Sequence, residues 1–326
     1  MKFKEKKMNY IDVFNGDADG ICALHQLRLA DPVDSTLVTG VKRDINLLKK
    51  VNSNKNDFVT VLDISLDKNR DGLLRCLNNG SNVLYFDHHF SGEIPDNENL
   101  KCHIDTNANV CTSLLVNKYL NGEYLSWAVA AAYGDNLFVA AEEAAKPLAL
   151  AKEKLEELKL LGTCINYNGY GASLDDLIFT PEELYKKIKN YSDPFDFIRN
   201  EPAYTKLVDG YTEDSEKAQA LAAKYKTDSH ALFILDDEKW ARRVSGVFAN
   251  QLAQDNPNRA HAMLTKNNEG DFVVSVRAPL NNKVGADELC RQFDTGGGRK
   301  AAAGINHLPA EDYEHFLAAF LAAFKD

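Results

Sequence analysis

The chain has 326 residues, which exceeds the roughly 100–200 residues of one domain, so we expect two domains. Hydrophobic residues (44%) and charged residues (26%) stand in the balance of a globular protein, which excludes disordered, collagen-like and low-complexity classes. The formal net charge of −10 argues against a protein that coats long nucleic acid through its whole surface field. The six cysteines form no CxxC pair, which excludes a disulfide scaffold and a cysteine zinc site and favours the reducing cytoplasm.

The first residues, MKFKEKKMNYIDVF, are basic but lack the apolar core of a signal peptide. No apolar run approaches the roughly 18 residues that a membrane span needs. We therefore expect a soluble, cytoplasmic protein with no membrane partner. The sequence leaves open whether translation begins at Met1 or at Met8, and it leaves the oligomeric state open.

Strand-like and helical segments alternate over the first 140 residues. Short runs rich in β-branched and aromatic residues predict strands, and segments with helical apolar spacing lie between them. The predicted strands span 9–14, 58–62 and 82–86, and the predicted helices span 20–30, 44–52, 67–79, 110–120, 124–133 and 140–161. This alternation predicts βαβ units with a parallel sheet.

The second half of the chain predicts a smaller mixed α/β domain. The segment GTCINYNGYG at 162–171 breaks the helical pattern with glycines and asparagines, and a glycine loop precedes the last helix. Predicted helices span 180–190, 213–225, 244–254 and 287–293, and predicted strands span 231–235, 260–264 and 272–276. We expect a catalytic domain over 1–190, a helical linker over 191–228 and a second domain over 229–326.

Acidic residues follow each of the three strands predicted in the N-terminal half. The first strand leads into the motif NGDADG, the second ends at Asp63, and the third ends at a DHH triplet. A further aspartate, Asp135, follows the small-residue segment AVAAAYG. Because the carboxyl ends of parallel strands lie along one edge of a sheet, where open α/β folds bind ligands, we expect these side chains to converge. The converging set is Asp17, Asp19, Asp63, Asp87, His88, His89 and Asp135.

Five carboxylates in one crevice would repel each other unless cations lie among them. Oxygen and imidazole ligands without cysteine suit Mn²⁺, or Mg²⁺ as the alternative, better than a structural zinc ion. Two such ions about 3.5–4 Å apart can activate water and clamp a phosphoryl displacement, and Asp63 is the candidate bridging ligand. One aspartate after a strand is more often a helix cap or a turn residue, so the ordered recurrence of four such motifs is what indicates the site.

The ordered motifs NGDADG, VLDIS, YFDHH and AAYGDN resemble those of the DHH phosphoesterase superfamily, named for the triplet at 87–89. The segments FVVSVRAPL and GGGRKAAAG resemble the strand arginine and the GGGHxxAAG loop of the companion DHHA1 domain, so the resemblance covers nearly the whole chain. Superfamily members hydrolyse phosphodiesters or phosphoanhydrides with manganese, in a cleft between the two domains. The resemblance therefore implies a parallel-sheet DHH domain, a smaller mixed α/β DHHA1 domain and an active site between them.

The resemblance also implies roles for individual residues. Asp63, His89 and Asp135 become the candidate catalytic residues, and His89 contacts either a metal or the scissile phosphate. The predicted metal ligands are Asp17, Asp19, Asp63, Asp87, His88 and Asp135. The predicted substrate-binding residues are Arg277, Gly296, Gly297, Gly298, Arg299 and Asn168.

Comparison with the motifs of individual branches indicates which branch of the superfamily the chain resembles. Val13 stands where small oligoribonuclease and cyclic-dinucleotide members have a histidine, whereas the RecJ-type motif D-x-D-x-D-G is matched with Asn15 in place of its first aspartate. INYNGYG is similar to the asparagine–glycine motif of RecJ-type proteins. Arg299 replaces the histidine of GGGH, and its permanent charge and bidentate geometry favour a highly charged phosphate group. The chain resembles a short, stand-alone member nearer the RecJ-type branch.

The leading prediction is a manganese-dependent phosphohydrolase that cleaves terminal phosphodiester bonds of short single-stranded nucleic acids or dinucleotides. An acidic surface disfavours long duplexes, since their binding depends mostly on phosphate neutralisation. One alternative is a phosphoanhydride hydrolase (an exopolyphosphatase) acting on polyphosphate or pyrophosphate-like chains, which Arg299 favours. A third is a non-catalytic nucleic-acid-binding relative in which Asn15 weakens one metal position.

Overall fold

The computed structural model describes residues 8–324. The chain divides after Asp209 into two compact units, each with its own sheet. The basic segment that precedes Met8 lies outside the described residues. Among residues 8–324, no helix combines the length and the apolar character that crossing a bilayer requires.

The first unit is built on five strands: β1 (Tyr10–Phe14), β2 (Ser35–Val38), β3 (Phe58–Leu62), β4 (Asn82–Asp87) and β5 (Leu100–Ile104). They pair in the order β2-β1-β3-β4-β5, and every neighbouring pair is parallel. Val59 and Val61 of the central strand are fully buried in a core cluster that also contains Leu73 and Leu77. Such β-branched residues suit a strand buried on both faces.

Nine helices accompany this sheet in the described part of the chain. They are α1 (Ala18–Ala30), α2 (Leu66–Asn78), α3 (Thr112–Tyr119), α4 (Leu125–Gly134), α5 (Phe138–Ala145), α6 (Lys152–Gly169), α7 (Pro181–Ile188), α8 (Pro194–Asn200) and α9 (Pro202–Gln219), the last of which runs past the division between the units. Asp17 caps α1 and Ser65 caps α2, and Thr180 and Glu183 form a capping box at α7. Helices α1, α3, α4 and α6 pack against one another beside the sheet.

The prediction of one helix over 140–161 is wrong. A 3₁₀ turn at Lys146–Leu148 contains a proline, and Ala149 has a φ of 47°, so α5 and α6 are separate helices. The predicted break at 162–171 is also wrong, because α6 continues to Gly169. A Cβ atom added at Gly162 would lie 1.8 Å from the carbonyl oxygen of Ala130. This glycine therefore permits close packing of α6 on α4 rather than ending a helix.

Other differences lie at the edges of the first sheet. Strands β2 and β5 are missing from the sequence-based prediction, and both are short edge strands that are less buried than the central ones. The predicted helix over 44–52 is only the 3₁₀ turn Leu47–Lys50. Edge strands carry no continuous apolar run, which is why the apolar pattern does not distinguish them from loops.

The second unit contains a mixed six-stranded sheet. Its strands are β6 (Tyr225–Lys226), β7 (His230–Leu235), β8 (Ala260–Lys266), β9 (Phe272–Arg277), β10 (Gly296–Arg299) and β11 (Ala302–Leu308). They pair in the order β10-β11-β9-β8-β7-β6; β7 and β8 are parallel, and the other neighbours are antiparallel. The helices are α10 (Lys239–Asp255), α11 (Ala286–Cys290) and α12 (Tyr313–Ala323). The core joins Leu264, Val274 and Ile305 to Phe316 and Phe320 of α12.

These two sheets confirm the predicted fold class, a parallel-sheet unit followed by a smaller mixed α/β unit. One local expectation is wrong: the glycine loop at 296–299 is the edge strand β10, which pairs with β11. The domain boundaries of 1–190, 191–228 and 229–326 stay a prediction. Helices α8 and α9 and strand β6 occupy the segment expected to be a helical linker.

Candidate metal centre

The carboxyl ends of β1, β3 and β4 lie side by side in the first unit. The backbone N–H of Asn15 donates to the carbonyl of Leu62 over 3.2 Å, and that of Asp63 donates to the carbonyl of Phe86 over 3.1 Å. The parallel ladder therefore continues past the last residue of each strand. As a result, the acidic motifs that follow the strands share one edge of the sheet, as the sequence predicts.

Asp17 and Asp19 are fixed by helix ends. Oδ1 of Asp17 accepts from the backbone N–H groups of Asp19 and Gly20 at the start of α1, both over 3.1 Å. The two carboxylate oxygens of Asp19 accept from the backbone N–H groups of Thr112 and Ser113 at the start of α3, both over 2.7 Å. Helix N-termini favour negative charge. These contacts hold the buried carboxylates in place. Each oxygen of Asp19 accepts one backbone N–H, so a second lone pair on each remains for a cation.

Asp63 occupies a strained position directly after β3. Its φ is 60°, in the left-handed region that costs a non-glycine residue of order 1–3 kcal/mol. The side chain is 2% exposed, and its Oδ1 accepts a hydrogen bond from Thr112 Oγ1 over 3.2 Å. The backbone turn aims the carboxylate along the sheet edge, toward the other acidic side chains, rather than to either face of the sheet.

His88 lies among three carboxylates. Its Nδ1 donates to the carbonyl of Val110 over 2.8 Å, which leaves Nε2 with a free lone pair, the usual arrangement of a metal-binding histidine. From Nε2, the distances are 3.5 Å to Oδ1 of Asp63, 3.8 Å to Oδ2 of Asp135 and 4.0 Å to Oδ2 of Asp19. Carboxylate oxygens from Asp19 of α1, from Asp63 after β3 and from Asp135 after α4 thus face the space around Nε2 of His88.

Asp87 and His89 form a pair beside this space. Nδ1 of His89 lies 2.7 Å from Oδ1 of Asp87 and 4.0 Å from Oδ1 of Asp63. Burial lowers the pKa of His89, but its hydrogen bond to Asp87 and the charges of Asp87, Asp135 and Asp19 together outweigh this, so that the pKa is raised. Asp63, His88 and His89 offer ligand atoms within 4.8 Å of one another, and so do Asp19, His88 and Asp135. Asp87 instead orients His89, and its role as a ligand stays a prediction.

Lys42 is a member of the site that the sequence analysis misses. Its Nζ lies 2.5 Å from Oδ2 of Asp17, 2.8 Å from Oδ1 of Asn166 and 3.7 Å from Oδ1 of Asp135. The residue follows β2, the edge strand absent from the prediction, and a single lysine in a loop carries no recognisable motif. No signal in the sequence pattern marks it. Only the parallel pairing of β2 with β1 brings it to the acidic edge.

The charges at this edge are unevenly balanced. Burial and the neighbouring Asp19, Asp17, Asp135 and Asp87 raise the pKa of Asp63 well above its usual range. Burial also raises the pKa of Asp135, in spite of Lys42. By contrast, the Lys42 ammonium overcomes the effect of burial at Asp17 and lowers its pKa. Lys42 therefore compensates the charge of Asp17 fully enough to lower its pKa, whereas the pKa values of Asp63 and Asp135 stay raised.

A divalent cation fits this donor set. Buried carboxylates that repel each other gain stability when a cation lies between them, and oxygen donors with one imidazole suit Mn²⁺. Oδ2 of Asp87 and Oδ1 of Asn15 are also buried without a hydrogen-bond partner among the described residues. The acidic edge thus has both the charge and the lone pairs that a metal ion requires.

The predicted substrate-binding residues differ in their surroundings. Asn168 is fully buried in α6; its Nδ2 donates to the carbonyl of Phe179 and its Oδ1 accepts from two backbone N–H groups, so it holds the segment before α7 in place. In the second unit, Nε of Arg277 donates to Oδ1 of Asn250 over 2.7 Å. Arg299 ends β10 and is exposed. These roles stay predictions.

The three glycines of β10 are not equivalent. A Cβ atom at Gly296 would lie 1.8 Å from the carbonyl oxygen of Cys290, and one at Gly298 would lie 2.5 Å from Cα of Ala303. At Gly297, nothing lies within 4 Å of an added Cβ atom. The fold therefore explains the first and third glycines, while at Gly297 there is open space beside the Cα atom.

Residues 226–326 match the DHHA1 domain family, and no curated protein matches the chain. Among solved structures, the chain is similar to an exonuclease RecJ bound to manganese, at 16% identity and a TM-score of 0.62, covering 96% of this chain and 89% of that one. It is also similar to PggH, a pGpG-specific phosphodiesterase from Vibrio cholerae, at 14% identity and a TM-score of 0.59, covering 96% of this chain and 98% of that one.

CDC45 from Entamoeba histolytica shares the fold as well, at 12% identity and a TM-score of 0.55, covering 98% of this chain and 96% of that one. At these identities, the likeness shows a common architecture across nearly the whole chain. Together with the DHHA1 match, it confirms the resemblance that the motifs indicate.

Proposed function

We propose that the protein is a divalent-metal-dependent phosphohydrolase that cleaves terminal phosphodiester bonds in short nucleic acids or dinucleotides. The observation that carries this proposal is the approach of carboxylate oxygens from Asp19, Asp63 and Asp135 to within 3.5–4.0 Å of Nε2 of His88. Manganese is the ion in the similar RecJ structure. We propose it here as well, with magnesium as the alternative.

Each residue at the acidic edge has a distinct part in this proposal. Asp19, Asp63, His88 and Asp135 hold the ion, which supplies Lewis acidity toward a phosphoryl group and toward water. The carbonyl of Val110 keeps the proton of His88 on Nδ1, so that the lone pair of Nε2 would be available to the ion. We further propose that His89, whose side chain is 42% exposed, donates a hydrogen bond to phosphate oxygens as charge gathers on them. The sequence predicts two ions, and that count stays a prediction.

A substrate that carries nucleobases is favoured over polyphosphate by one feature of the site. Phe90 directly follows His89, and it is 72% exposed. An exposed aromatic ring gives a base a surface on which to stack, and such stacking is worth about 1–3 kcal/mol per base. A polyphosphate chain has no ring to place there. The activities of the similar structures, an exonuclease and a pGpG-specific phosphodiesterase, point to the same class of substrate.

The second unit supplies the proposed phosphate contacts. Arg299 is exposed and permanently charged, and the backbone at Gly297 is open to approach. We propose that these two residues, with Gly296, Gly298 and Arg277, bind the terminal phosphate of the substrate. A guanidinium can bind phosphate oxygens in a bidentate way, and the open space at Gly297 leaves room for the phosphate group.

A substrate panel tests this proposal. The protein, supplied with Mn²⁺, is incubated with labelled single-stranded oligonucleotides, dinucleotides, cyclic dinucleotides and polyphosphate. We expect release of mononucleotides from the first two and little phosphate from polyphosphate. Phosphate release from polyphosphate alone would replace the nucleotide substrate with a phosphoanhydride. Absence of both metal binding and hydrolysis would favour a non-catalytic binding protein.

A further inference from the structure

Lys42 lies where a cation is expected. Its ammonium group contacts Oδ2 of Asp17 and Oδ1 of Asn166 at 2.5 Å and 2.8 Å, and it lies 3.7 Å from Oδ1 of Asp135. These partners are oxygens of the kind that hard divalent cations bind. The side chain is only 22% exposed, so the ammonium is part of the site rather than a solvated surface charge.

The backbone around Lys42 fixes its position. Its N–H donates to the carbonyl of Gly169 over 2.8 Å, and its carbonyl accepts from Nδ2 of Asn15 over 3.4 Å. Nζ also lies 5.5 Å from the centre of the Tyr170 ring, within cation–π range. Because both the backbone and the ammonium are held, the ion pair with Asp17 is a built feature of the molecule.

The two sides of the acidic edge differ in what they offer a metal. On one side, Asp19, Asp63 and Asp135 surround Nε2 of His88, and each approaches it to 4.0 Å or less. On the other side, Oδ1 of Asp17 accepts two helix N–H groups and Oδ2 faces Lys42. Two positions before Asp17, where the RecJ-type motif has its first aspartate, this chain has the neutral Asn15. Both oxygens of Asp17 therefore already have partners, and one of these partners carries a positive charge.

We infer that the ammonium of Lys42 takes the place of a second divalent cation, so that the protein binds a single metal ion. A divalent ion on Oδ2 of Asp17, about 2.1 Å from the oxygen, would meet the ammonium held on that same oxygen, and the two cations would repel each other. The inference rests on the proposed function and revises the ion count that the sequence predicts. It also gives Lys42 a role, which is to supply fixed positive charge beside the one ion.

Counting bound Mn²⁺ tests the inference. Equilibrium dialysis followed by metal analysis gives the number of ions per chain, and electron paramagnetic resonance separates an isolated Mn²⁺ from a coupled pair. We expect one ion and an isolated signal in the wild type. In Lys42→Met, which removes the charge at similar length, and in Lys42→Gln, which keeps a polar end, we expect a second ion and a coupled signal. The matched control is Lys50→Met, since Lys50 pairs with Asp44 at 2.5 Å on the exposed surface; it should keep one ion.

The outcomes separate the inference from the proposed function. Two ions in the wild type would overturn the inference and leave the proposed function standing. One ion in the wild type and still one in both folded Lys42 variants would show that Lys42 does not exclude the second ion, and this would also overturn it. No bound ion in any protein would overturn the proposed function itself. Folding of each variant is checked by its thermal midpoint, and either charge-removing variant suffices for the count.

Discussion

Asp63 is the carboxylate that experiences repulsion from four other carboxylates of the site. Its buried carboxylate lies close to Asp17, Asp19, Asp87 and Asp135, and its pKa is raised well above the ordinary range. The folded protein holds the proton of this carboxyl group more tightly than the unfolded chain does. Stability therefore falls as the pH rises above the pKa of an unfolded aspartate. The same repulsion is what a bound cation relieves.

Asp63→Asn should therefore stabilise the metal-free protein at pH 7. Asparagine removes the buried charge and tolerates the φ of 60° found there. Because burial and the neighbouring carboxylates raise the pKa of Asp63, removing its charge should raise the thermal midpoint of the metal-free protein. Addition of Mn²⁺ should raise the midpoint of the wild type and leave that of the variant unchanged. A variant that is less stable than the metal-free wild type would contradict the charge conflict.

Asp87→Asn separates two roles for Asp87. If Asp87 only orients His89 through the 2.7 Å contact, the variant keeps its bound Mn²⁺. Because the Asp87 hydrogen bond raises the pKa of His89, its loss lowers that pKa. The alkaline limb of the profile of kcat/KM against pH then moves to lower pH, since His89 loses its proton earlier. Loss of bound metal with an unchanged profile would show instead that Asp87 is a ligand.

Most residues of the acidic edge could be predicted from the sequence, because they directly follow segments with a clear local pattern. Asp63 and Asp87 lie at the ends of strands whose apolar runs are readable, and the topology of a parallel sheet does the rest. Lys42 could not be predicted, since it follows an edge strand that carries no apolar pattern. The cap made by Asp19 on α3 joins residues 93 positions apart, and no spacing in the sequence indicates such a contact.

At the scale of elements, glycines mislead the sequence analysis in opposite ways. Gly162 lies inside α6, where it allows contact with Ala130 of α4, and the expected helix break is absent. Gly296 to Gly298 form the edge strand β10 in place of a loop. At Gly162, Gly296 and Gly298, the missing side chain permits close packing, and packing between distant elements cannot be read from local composition.

Strand β10 gives a test of phosphate binding that is independent of folding. Gly297→Ala should leave the thermal midpoint within about 1–2 °C of the wild type, because no atom lies within 4 Å of the added Cβ atom. If substrate phosphate approaches the backbone there, KM should rise by about tenfold or more, as expected for the loss of a charge-assisted hydrogen bond. Gly296→Ala is the contrasting variant, since its Cβ atom would lie 1.8 Å from the Cys290 carbonyl and should lower the midpoint. An unchanged KM in Gly297→Ala would remove β10 from the binding site.

At the scale of the whole molecule, one buried histidine makes stability depend on pH. His25 is 1% exposed, its Nε2 lies 2.8 Å from the carbonyl of Tyr191, and its ring packs edge-on against Trp127 at 4.7 Å. Burial lowers its pKa to about 4, against about 6.5 when unfolded. Between these values the unfolded chain binds the proton and the folded protein does not, so stability falls as the pH falls from about 6.5 to about 4.

The full effect is about 3.5 kcal/mol, from a shift of roughly 2.5 units at 1.4 kcal/mol per unit, and about 3 kcal/mol of it is lost by pH 4. Chemical unfolding of the wild type and of His25→Gln, measured at pH 4 to 7, checks it. The raised pKa values of Asp63 and Asp135 make stability increase as the pH falls, which is opposite to the effect of His25. The acidic edge is the same in both proteins, so the difference between their free energies of unfolding reports His25 alone. That difference should shrink by about 3 kcal/mol on acidification. A constant difference would show that His25 titrates normally in the folded protein.

Hydrolysis of a dinucleotide that carries a terminal monophosphate tests the central claim, that the acidic edge of the first sheet is a metal-dependent phosphodiesterase site. The measurement is kcat/KM for the wild type and Asp63→Asn, each with Mn²⁺ and with a chelator, with Asp71→Asn, an exposed aspartate of α2, as the matched control. We predict activity in the wild type and in Asp71→Asn that requires Mn²⁺ and returns when the ion is restored. In Asp63→Asn we predict a loss of more than about a hundredfold, because even changes behind the ligands of a metal cost about 10–100-fold. Hydrolysis that persists in the chelator, or in a folded Asp63→Asn protein, would contradict the account.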